Sequence, residues 1–178
     1  PMARSAADLE SRLRRIATAL ERPAEGLDYL EMFLTGVIDA ALAAQNGAAA
    51  AESLGLGMVY IGGMRNHPEE VAALLGLPPG VFAVFGMCVG RPDPARPADI
   101  KPRPPQAVVL HHERYALDAQ DAGIAAYDRA MERFYAEQKM NVHGTWSVHS
   151  SKRIAGPETL SGRHRLVEAL NALGFALK

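Results

Sequence analysis

The sequence predicts an α+β fold or a three-layer α/β fold, because strand patterns are few and helical patterns are more numerous. Short apolar runs typical of strands occur at 58–61, 81–89 and 107–110, while longer segments repeat their apolar residues every three or four positions, as helices do. The chain has 178 residues, of which 48% are apolar. This is enough for a sizeable core, so we expect a single domain over residues 1–178.

The helical patterns differ in how many of their sides are apolar. The longest, Leu27–Ser53, is apolar on nearly all sides, which predicts a central position or a subunit contact. Asn66 is the expected N-cap of the helix whose first turn contains Pro68, and Gly174 is expected to cap the last helix. Trp146, the only tryptophan, is expected in the core or at a helix start. The predicted helices are Asp8–Arg22, Leu27–Ser53, Pro68–Leu75, Asp121–Glu137 and Arg165–Leu173.

The strand patterns are separated by a long proline-rich segment. Met58–Ile61 predicts a short buried strand. Val81–Val89 is rich in β-branched and aromatic residues, which predicts a central strand buried on both faces, with Cys88 as an inert core thiol. Six of the 12 prolines fall between Arg91 and Pro105, so we expect an extended surface loop there, followed by a third strand at Ala107–Leu110.

Composition argues against several classes of function. The chain has 19 basic and 20 acidic residues and only 6% aromatic residues, so neither nucleic acid nor an anionic membrane is an expected partner. No signal peptide or membrane-spanning run is recognisable, and the histidines lack metal-site spacing, so no metal is expected. Cys88 is the only cysteine, which excludes a disulfide framework and fits a reducing cytoplasm. Pro1 ahead of Met2 indicates a cleavage or cloning scar.

A glycine pair directly follows the first predicted strand. Gly62 and Gly63 lack a Cβ, so their backbone N–H groups could touch a flat or anionic ligand. The alternative is a sharp turn between strand and helix, which is a frequent use of glycine. The pair is not part of a dinucleotide-binding fingerprint or a phosphate-binding loop, because neither motif is present.

Two cations alternate with prolines at the end of the proline-rich segment. Prolines keep a backbone extended, so Lys101 and Arg103 are expected to point the same way from a stiff segment. Arginine offers a planar fork and lysine a point charge, and together they can bind a phosphate. The alternative is a pair of solvated surface charges.

Three motifs in this order resemble the flavin-dependent nitroreductase family, and most of all its NADPH-dependent, oxygen-insensitive nitroreductase and flavin reductase branch. They are AAESLGLGMVYIGGMRN at 50–66, VFGMCVG at 84–90 and KPRPP at 101–105. Two shorter matches, AQN at 44–46 and TWS at 145–147, fit the same pattern. The similarity runs from about Leu27 to Lys178.

The resemblance implies an α+β, three-layer fold in which helices flank a central, mostly antiparallel sheet. It also implies a homodimer built on the long helix, with FMN at the subunit interface. In the family, the segment matching Tyr60, Ile61, Gly62 and Gly63 lies with its backbone against the flavin ring, near the reactive nitrogen. The cations matching Lys101 and Arg103 bind the FMN phosphate.

The implied activity is a two-step hydride transfer. NAD(P)H reduces FMN and leaves, and then a nitroaromatic, a quinone or a free flavin takes the electrons. The resemblance requires no catalytic side-chain acid or nucleophile. Relatives place arginines for NADPH in the segment 135–145, where this chain offers Lys139 and His143 as candidate nucleotide-binding residues.

The resemblance also implies an N-terminal segment that begins with an Arg-Ser-x-Arg phosphate-binding motif in relatives. Arg4 and Ser5 do not match it, so the chain is expected to be an N-terminally shortened member.

Two other functions are alternatives to that of an enzyme. One is a non-catalytic flavin- or ligand-binding relative that keeps the dimer scaffold. The other is an interaction domain that dimerises through its alanine-rich helix.

Overall fold

The computed structural model describes residues 9–97 and 99–178. These residues divide into two compact units, one made of residues 9–92 and 160–178 and the other of residues 93–97 and 99–159. The described helices and strands are α1 (Leu9–Ala19), α2 (Leu30–Ser53), β1 (Gly57–Ile61), α3 (Pro68–Leu75), β2 (Gly86–Gly90), α4 (Gln106–Val109), α5 (Gln120–Glu137), α6 (Trp146–Arg153) and α7 (Leu166–Ala172). Helices thus accompany a small antiparallel sheet, and the α+β prediction is confirmed. The prediction of a single domain stays a prediction.

The core of the first unit forms where α2 meets the segment before β2, the helix α7 and the residues that follow α7. Ala40 of α2 is buried with Phe82, Val84, Leu170 and Phe175. A small residue at this position lets the aromatic side chains approach the helix closely, and packing of this kind stabilises a helix more than its intrinsic propensity does. The helix begins at Leu30 rather than Leu27, because Tyr29 is extended (φ −89°, ψ 148°) and separates it from a 3₁₀ turn at Glu25–Asp28.

The sheet consists of β1 and β2, which pair antiparallel from Gly57 opposite Gly90 to Ile61 opposite Gly86. Three expectations for this region are wrong. Val81–Phe85 is largely buried but forms neither helix nor strand, and only the second part of the predicted Val81–Val89 strand is β2. Both β1 and Cys88 are also more exposed than expected. In the part of the chain that the structure describes, the sheet has only two strands, and so small a sheet leaves side chains uncovered.

The helix α3 has the bounds that the sequence predicts, but its N-cap is His67 and not Asn66. Asn66 remains in the right-handed helical region (φ −72°, ψ −41°) and ends the 3₁₀ turn Gly62–Arg65. It is therefore not in the extended conformation typical of a capping residue. The helix ends at Leu75, and the following Gly76 adopts the left-handed conformation (φ 61°) that glycine favours.

The remaining helix predictions are largely confirmed. In the first unit, α1 begins at Leu9 and ends at Ala19, three residues before the predicted end at Arg22, and the predicted start at Asp8 lies outside the described residues. The last predicted helix divides into a 3₁₀ turn at Arg163–Arg165 and α7, with Gly174 left-handed (φ 97°) just beyond its end.

In the second unit, residues 93–97 and 99–105 form neither helix nor strand, as the prolines predict. The predicted strand at Ala107–Leu110 is wrong, because this segment forms the helical turn α4. Val108 of that turn packs so closely on α5 that a Cβ at Gly123 would lie 2.1 Å from its Cγ2. The α5 prediction is confirmed to within one residue.

Trp146 begins α6, which confirms the prediction of a helix-start tryptophan. The preceding Thr145 caps the helix by accepting a hydrogen bond from the Val148 backbone N–H (3.2 Å). The indole packs edge-on against Tyr127 of α5, with ring centroids 5.1 Å apart. A second bond from the Ser147 N–H to the Asp128 carboxylate (2.9 Å) joins the two helices.

Candidate functional site

The strand β1 ends in the 3₁₀ turn Gly62–Arg65, which carries the predicted glycine pair. Neither Gly62 nor Gly63 has a positive φ, so the turn itself does not require glycine. A Cβ at Gly63 would meet only the Ile61 side chain, at 3.9 Å, and would otherwise project into open space. The backbone at Gly63 is thus an accessible surface that no side chain covers, which fits a flat ring such as that of a flavin.

Tyr60 fixes the residues that lead into this turn. Its ring packs edge-on against Phe85, with centroids 5.1 Å apart, and its hydroxyl donates to Gln45 Oε1 of α2 at 3.4 Å. Gln45 belongs to the AQN segment that accompanies the sequence motifs. Tyr60 and Ile61 are the last two residues of β1 before the glycine pair. The hydrogen bond from Tyr60 to Gln45 connects this strand to α2.

Two arginines that the sequence analysis did not single out flank Gly62. A Cβ at Gly62 would lie 3.2 Å from Nη2 of Arg65 and 3.9 Å from Nη2 of Arg163. The Arg65 guanidinium donates to the carbonyl oxygen of Val84, and burial, together with the charge of Arg163, lowers the pKa of Arg65. Arg163 Nε donates to Asn66 Oδ1 at 2.8 Å.

Sequence reasoning could not place Arg163 here, because its partner Asn66 is 97 positions away and no spacing rule connects them. The only available signal is the basic run Arg163-His164-Arg165, which a solvated surface explains equally well.

The predicted phosphate-binding cations lie in the second unit. Lys101 and Arg103 are exposed and alternate with half-buried prolines, so both face solvent from an extended segment, as predicted. The Pro102 carbonyl accepts a hydrogen bond from the Tyr127 hydroxyl at 3.2 Å, which holds the segment on α5. Burial raises the pKa of Tyr127, the nearby Tyr135 raises it further, and the positive charge of Arg103 opposes the shift.

Within the described residues, neither Lys101 nor Arg103 has a carboxylate within 4 Å. Their charges are therefore not neutralised by the protein residues that the structure describes. Such cations are suited to binding an anionic ligand.

The two candidate nucleotide-binding residues lie between α5 and α6. Lys139 is exposed and has a positive φ of 51°, in the turn that ends α5. His143 is exposed in the segment that leads to the Thr145 cap. Both side chains are accessible, and their role stays a prediction.

Residues 9–97 and 99–178 contain no group of three or more histidine, cysteine, aspartate or glutamate side chains that could hold a metal ion. Across the same residues, none of the helices combines the length and the apolar character needed to cross a membrane.

Comparison with known proteins gives two family-model matches, which together cover most of the chain. Residues 27–91 match the nitroreductase family, and residues 101–178 match the nitroreductase family, C-terminal domain. The NADPH-flavin oxidoreductase of Vibrio harveyi is 41% identical over 151 residues, a region that covers 84% of this chain and 60% of the relative. The oxygen-insensitive NADPH nitroreductase of Salmonella typhimurium is 39% identical over 158 residues, covering 88% and 62% respectively.

Among solved structures, NfrA2 of B. megaterium is similar to this chain with a TM-score of 0.84 and 35% identity. The similarity covers 94% of this chain and 66% of NfrA2. The chain thus spans roughly three fifths of the length of the curated relatives described above. The order of the motifs, the family models and the fold agree, and the chain belongs to the nitroreductase family.

Proposed function

We propose that this chain forms part of an FMN-dependent NAD(P)H oxidoreductase that reduces nitroaromatics, quinones or flavins. The observation that carries the proposal is the bare backbone at Gly63, where glycine is not needed for the turn and its absent side chain leaves an open surface next to Gly62. A flat ring needs such a surface for close contact with backbone N–H groups. The names and identities of the two relatives reported above support the same activity.

The residues of this chain would divide the work of holding FMN. Tyr60, Ile61, Gly62 and Gly63 would contact the flavin ring through their backbone, and Lys101 and Arg103 would bind the phosphate. When bound, FMN supplies the two-step hydride chemistry, taking a hydride from NAD(P)H and passing the electrons to an acceptor. The protein contributes binding and orientation, and none of its side chains is assigned as a catalytic acid or nucleophile.

Lys139 and His143 are the proposed contacts for the nucleotide. Both are exposed in the segment between α5 and α6, where a phosphate of NAD(P)H could reach them. The acceptor would be a small aromatic molecule. We place the protein in the cytoplasm, in keeping with its single cysteine.

A homodimer is proposed from the outer side of α2. Four large apolar side chains, spaced four residues apart, are 45% to 62% exposed on this helix: Leu30, Leu34, Ile38 and Leu42. A continuous apolar stripe of this kind is typical of a surface that another helix covers. Light scattering should give the mass of a dimer, and a monomer would contradict this part of the proposal.

The proposal is tested by Gly63→Val. The added side chain projects into open space, so the melting temperature should stay within about 2 °C of the wild type, while FMN affinity should fall at least about tenfold because the ring loses its backbone contact. Titration of FMN, followed by flavin fluorescence, measures this change.

The matched control is Gly26→Val, at another glycine with a non-positive φ and no atom near its Cβ position. This variant should bind FMN like the wild type. Equal affinities for the two variants would contradict the assignment of the glycine pair. If the wild type binds FMN without oxidising NAD(P)H in the presence of a quinone, the non-catalytic alternative is correct.

A further inference from the structure

Asn66 joins two segments that are distant in the sequence. Its side-chain oxygen accepts a hydrogen bond from Arg163 Nε at 2.8 Å. Its backbone carbonyl lies against Gly162, where a Cβ would be 2.6 Å from the oxygen, so only glycine allows this approach. Gly162 also has a positive φ of 87°, which glycine adopts without strain. Both contacts hold Arg163 in one orientation, with Nη2 3.9 Å from the Cβ position of Gly62.

The charge of Arg163 is fixed in place without being neutralised. Asn66 is a neutral acceptor, and among the described residues no carboxylate lies within 4 Å of Arg163 or of Arg65. The two guanidinium groups are close enough for the charge of Arg163 to lower the pKa of Arg65. Two like charges held together destabilise each other unless an anion shares their site. The location therefore favours negative charge next to Gly62.

We infer that Asn66 is a positioning residue that holds the Arg163 guanidinium beside Gly62 as an uncompensated positive charge, which stabilises the reduced state of a flavin ring bound against that glycine. The inference rests on the proposed function, which places the ring at Gly62. A hydride carries two electrons and one proton, so its arrival adds one negative charge to the ring. A fixed positive charge nearby stabilises that product more than the neutral oxidised ring, because the protein environment screens charge less than water does.

The decisive variant is Asn66→Asp. Aspartate has nearly the same size and still accepts the bond from Arg163, but its carboxylate neutralises the guanidinium. The reduction potential of bound FMN should therefore fall. We expect about a tenfold lower ratio of reduced to oxidised FMN at a given ambient potential, which for a two-electron couple corresponds to about 30 mV. Spectroelectrochemical titration of the FMN-loaded protein measures the potential.

Asn171→Asp is the matched control. It introduces the same charge at an exposed position of α7, in the same unit of the structure. Its FMN potential should stay at the wild-type value, and its thermal unfolding should show that one added carboxylate does not disturb the fold. A merely structural role for Asn66 would predict no difference in potential between the two aspartate variants.

Arg163→Gln provides a second test that does not depend on Asn66. Glutamine removes the charge, so the potential should fall in the same direction as in Asn66→Asp. Arg163→Lys retains a charge while losing the Nε–H donor, and it should restore part of the potential lost in Arg163→Gln. This partial rescue distinguishes the effect of charge from loss of packing.

The outcomes separate the inference from the proposed function. If the wild-type protein does not bind FMN in a fluorescence titration, both are overturned. If FMN binds but Asn66→Asp and Asn171→Asp have the same potential, the inference is wrong and the proposed function stands. If Asn66→Asp does not retain FMN, the reduction potential of FMN bound to Arg163→Gln tests the inference instead. A potential equal to that of the wild type in Arg163→Gln overturns the inference.

Discussion

The Gly62–Arg65 turn and the Lys101–Pro105 segment are both candidate FMN-binding elements, but they are held in place by different means. Side chains from several segments support the turn, with Arg65 bonded to the Val84 carbonyl and Asn66 bonded to Arg163. The proline-rich segment keeps its shape through stiff backbone and one hydrogen bond from Tyr127. The turn thus contributes shape and depends on packing, whereas the segment contributes charge and depends little on packing. Substitutions in the two should therefore have different effects on stability and on binding.

The largest effect is expected for the double variant Lys101→Ala/Arg103→Ala. Each cation can form a charge-assisted bond to a phosphate worth about 1.5–3 kcal/mol, so their joint loss should weaken FMN binding by about 100-fold or more. Thermal unfolding should be unchanged, because both side chains are exposed. The control is Arg91→Ala/Arg96→Ala, which removes two exposed cations from the same proline-rich region. If both double variants weaken binding equally, the phosphate assignment fails.

Arg65→Met should affect stability and binding together. The variant leaves the Val84 carbonyl without its donor, which should lower the free energy of unfolding by about 1–2 kcal/mol, measured by urea denaturation. FMN affinity should fall several-fold, because the turn loses its support. Arg22→Met, at an exposed position, is the control and should change neither quantity. An effect of Arg65→Met on binding alone would erase the distinction between the turn and the charged segment.

The smallest effect is expected for Tyr127→Phe. Loss of the hydrogen bond to Pro102 should lower the free energy of unfolding by about 0.5–1.5 kcal/mol at pH 7. FMN affinity should fall only a few-fold, because the prolines still keep the segment extended. Tyr135→Phe, which also removes one phenolic hydroxyl from α5, is the matched control.

Tyr127 also predicts a pH dependence. Its pKa in the folded state is raised above the ordinary value of 10.0, so the folded protein favours the protonated phenol. The raised pKa of Tyr127 therefore contributes to the free energy of unfolding. This contribution is fully present below pH 10 and is lost as the pH rises through the raised pKa. The free energy of unfolding should fall less steeply above pH 10 in Tyr127→Phe than in the wild type. Equal slopes would contradict the burial of this hydroxyl.

The sequence predicted the features of the site that depend on local chemistry. The glycine pair follows a strand, and the alternation with prolines exposes Lys101 and Arg103 on an extended segment, as expected from residue type alone. Arg65 and Arg163 were missed, because their proximity arises only when a segment near the C-terminus packs against the turn.

The wrong predictions about the fold also arise because packing between distant segments decides the local structure. Val81–Phe85 is apolar enough for a central strand, yet its burial comes from packing in the helical core and not from strand pairing. Ala107–Leu110 contains too few residues for periodicity to distinguish a strand from a helical turn, and close packing on Gly123 decides the outcome. Cys88 was placed in the core because its neighbours are apolar, but the small sheet leaves it exposed.

The first unit is assembled from the two ends of the described chain, and this has a consequence for how the protein is made. Lys178 pairs with Asp28 across 150 positions, through its backbone N–H and through its ammonium group, both at 2.9 Å. Leu170 and Phe175 complete the core that Ala40 and Phe82 begin. During synthesis on a ribosome, the earlier part of this core therefore keeps its apolar surface uncovered until Leu170 and Phe175 have emerged. The second unit, which is continuous in sequence, has no such delay.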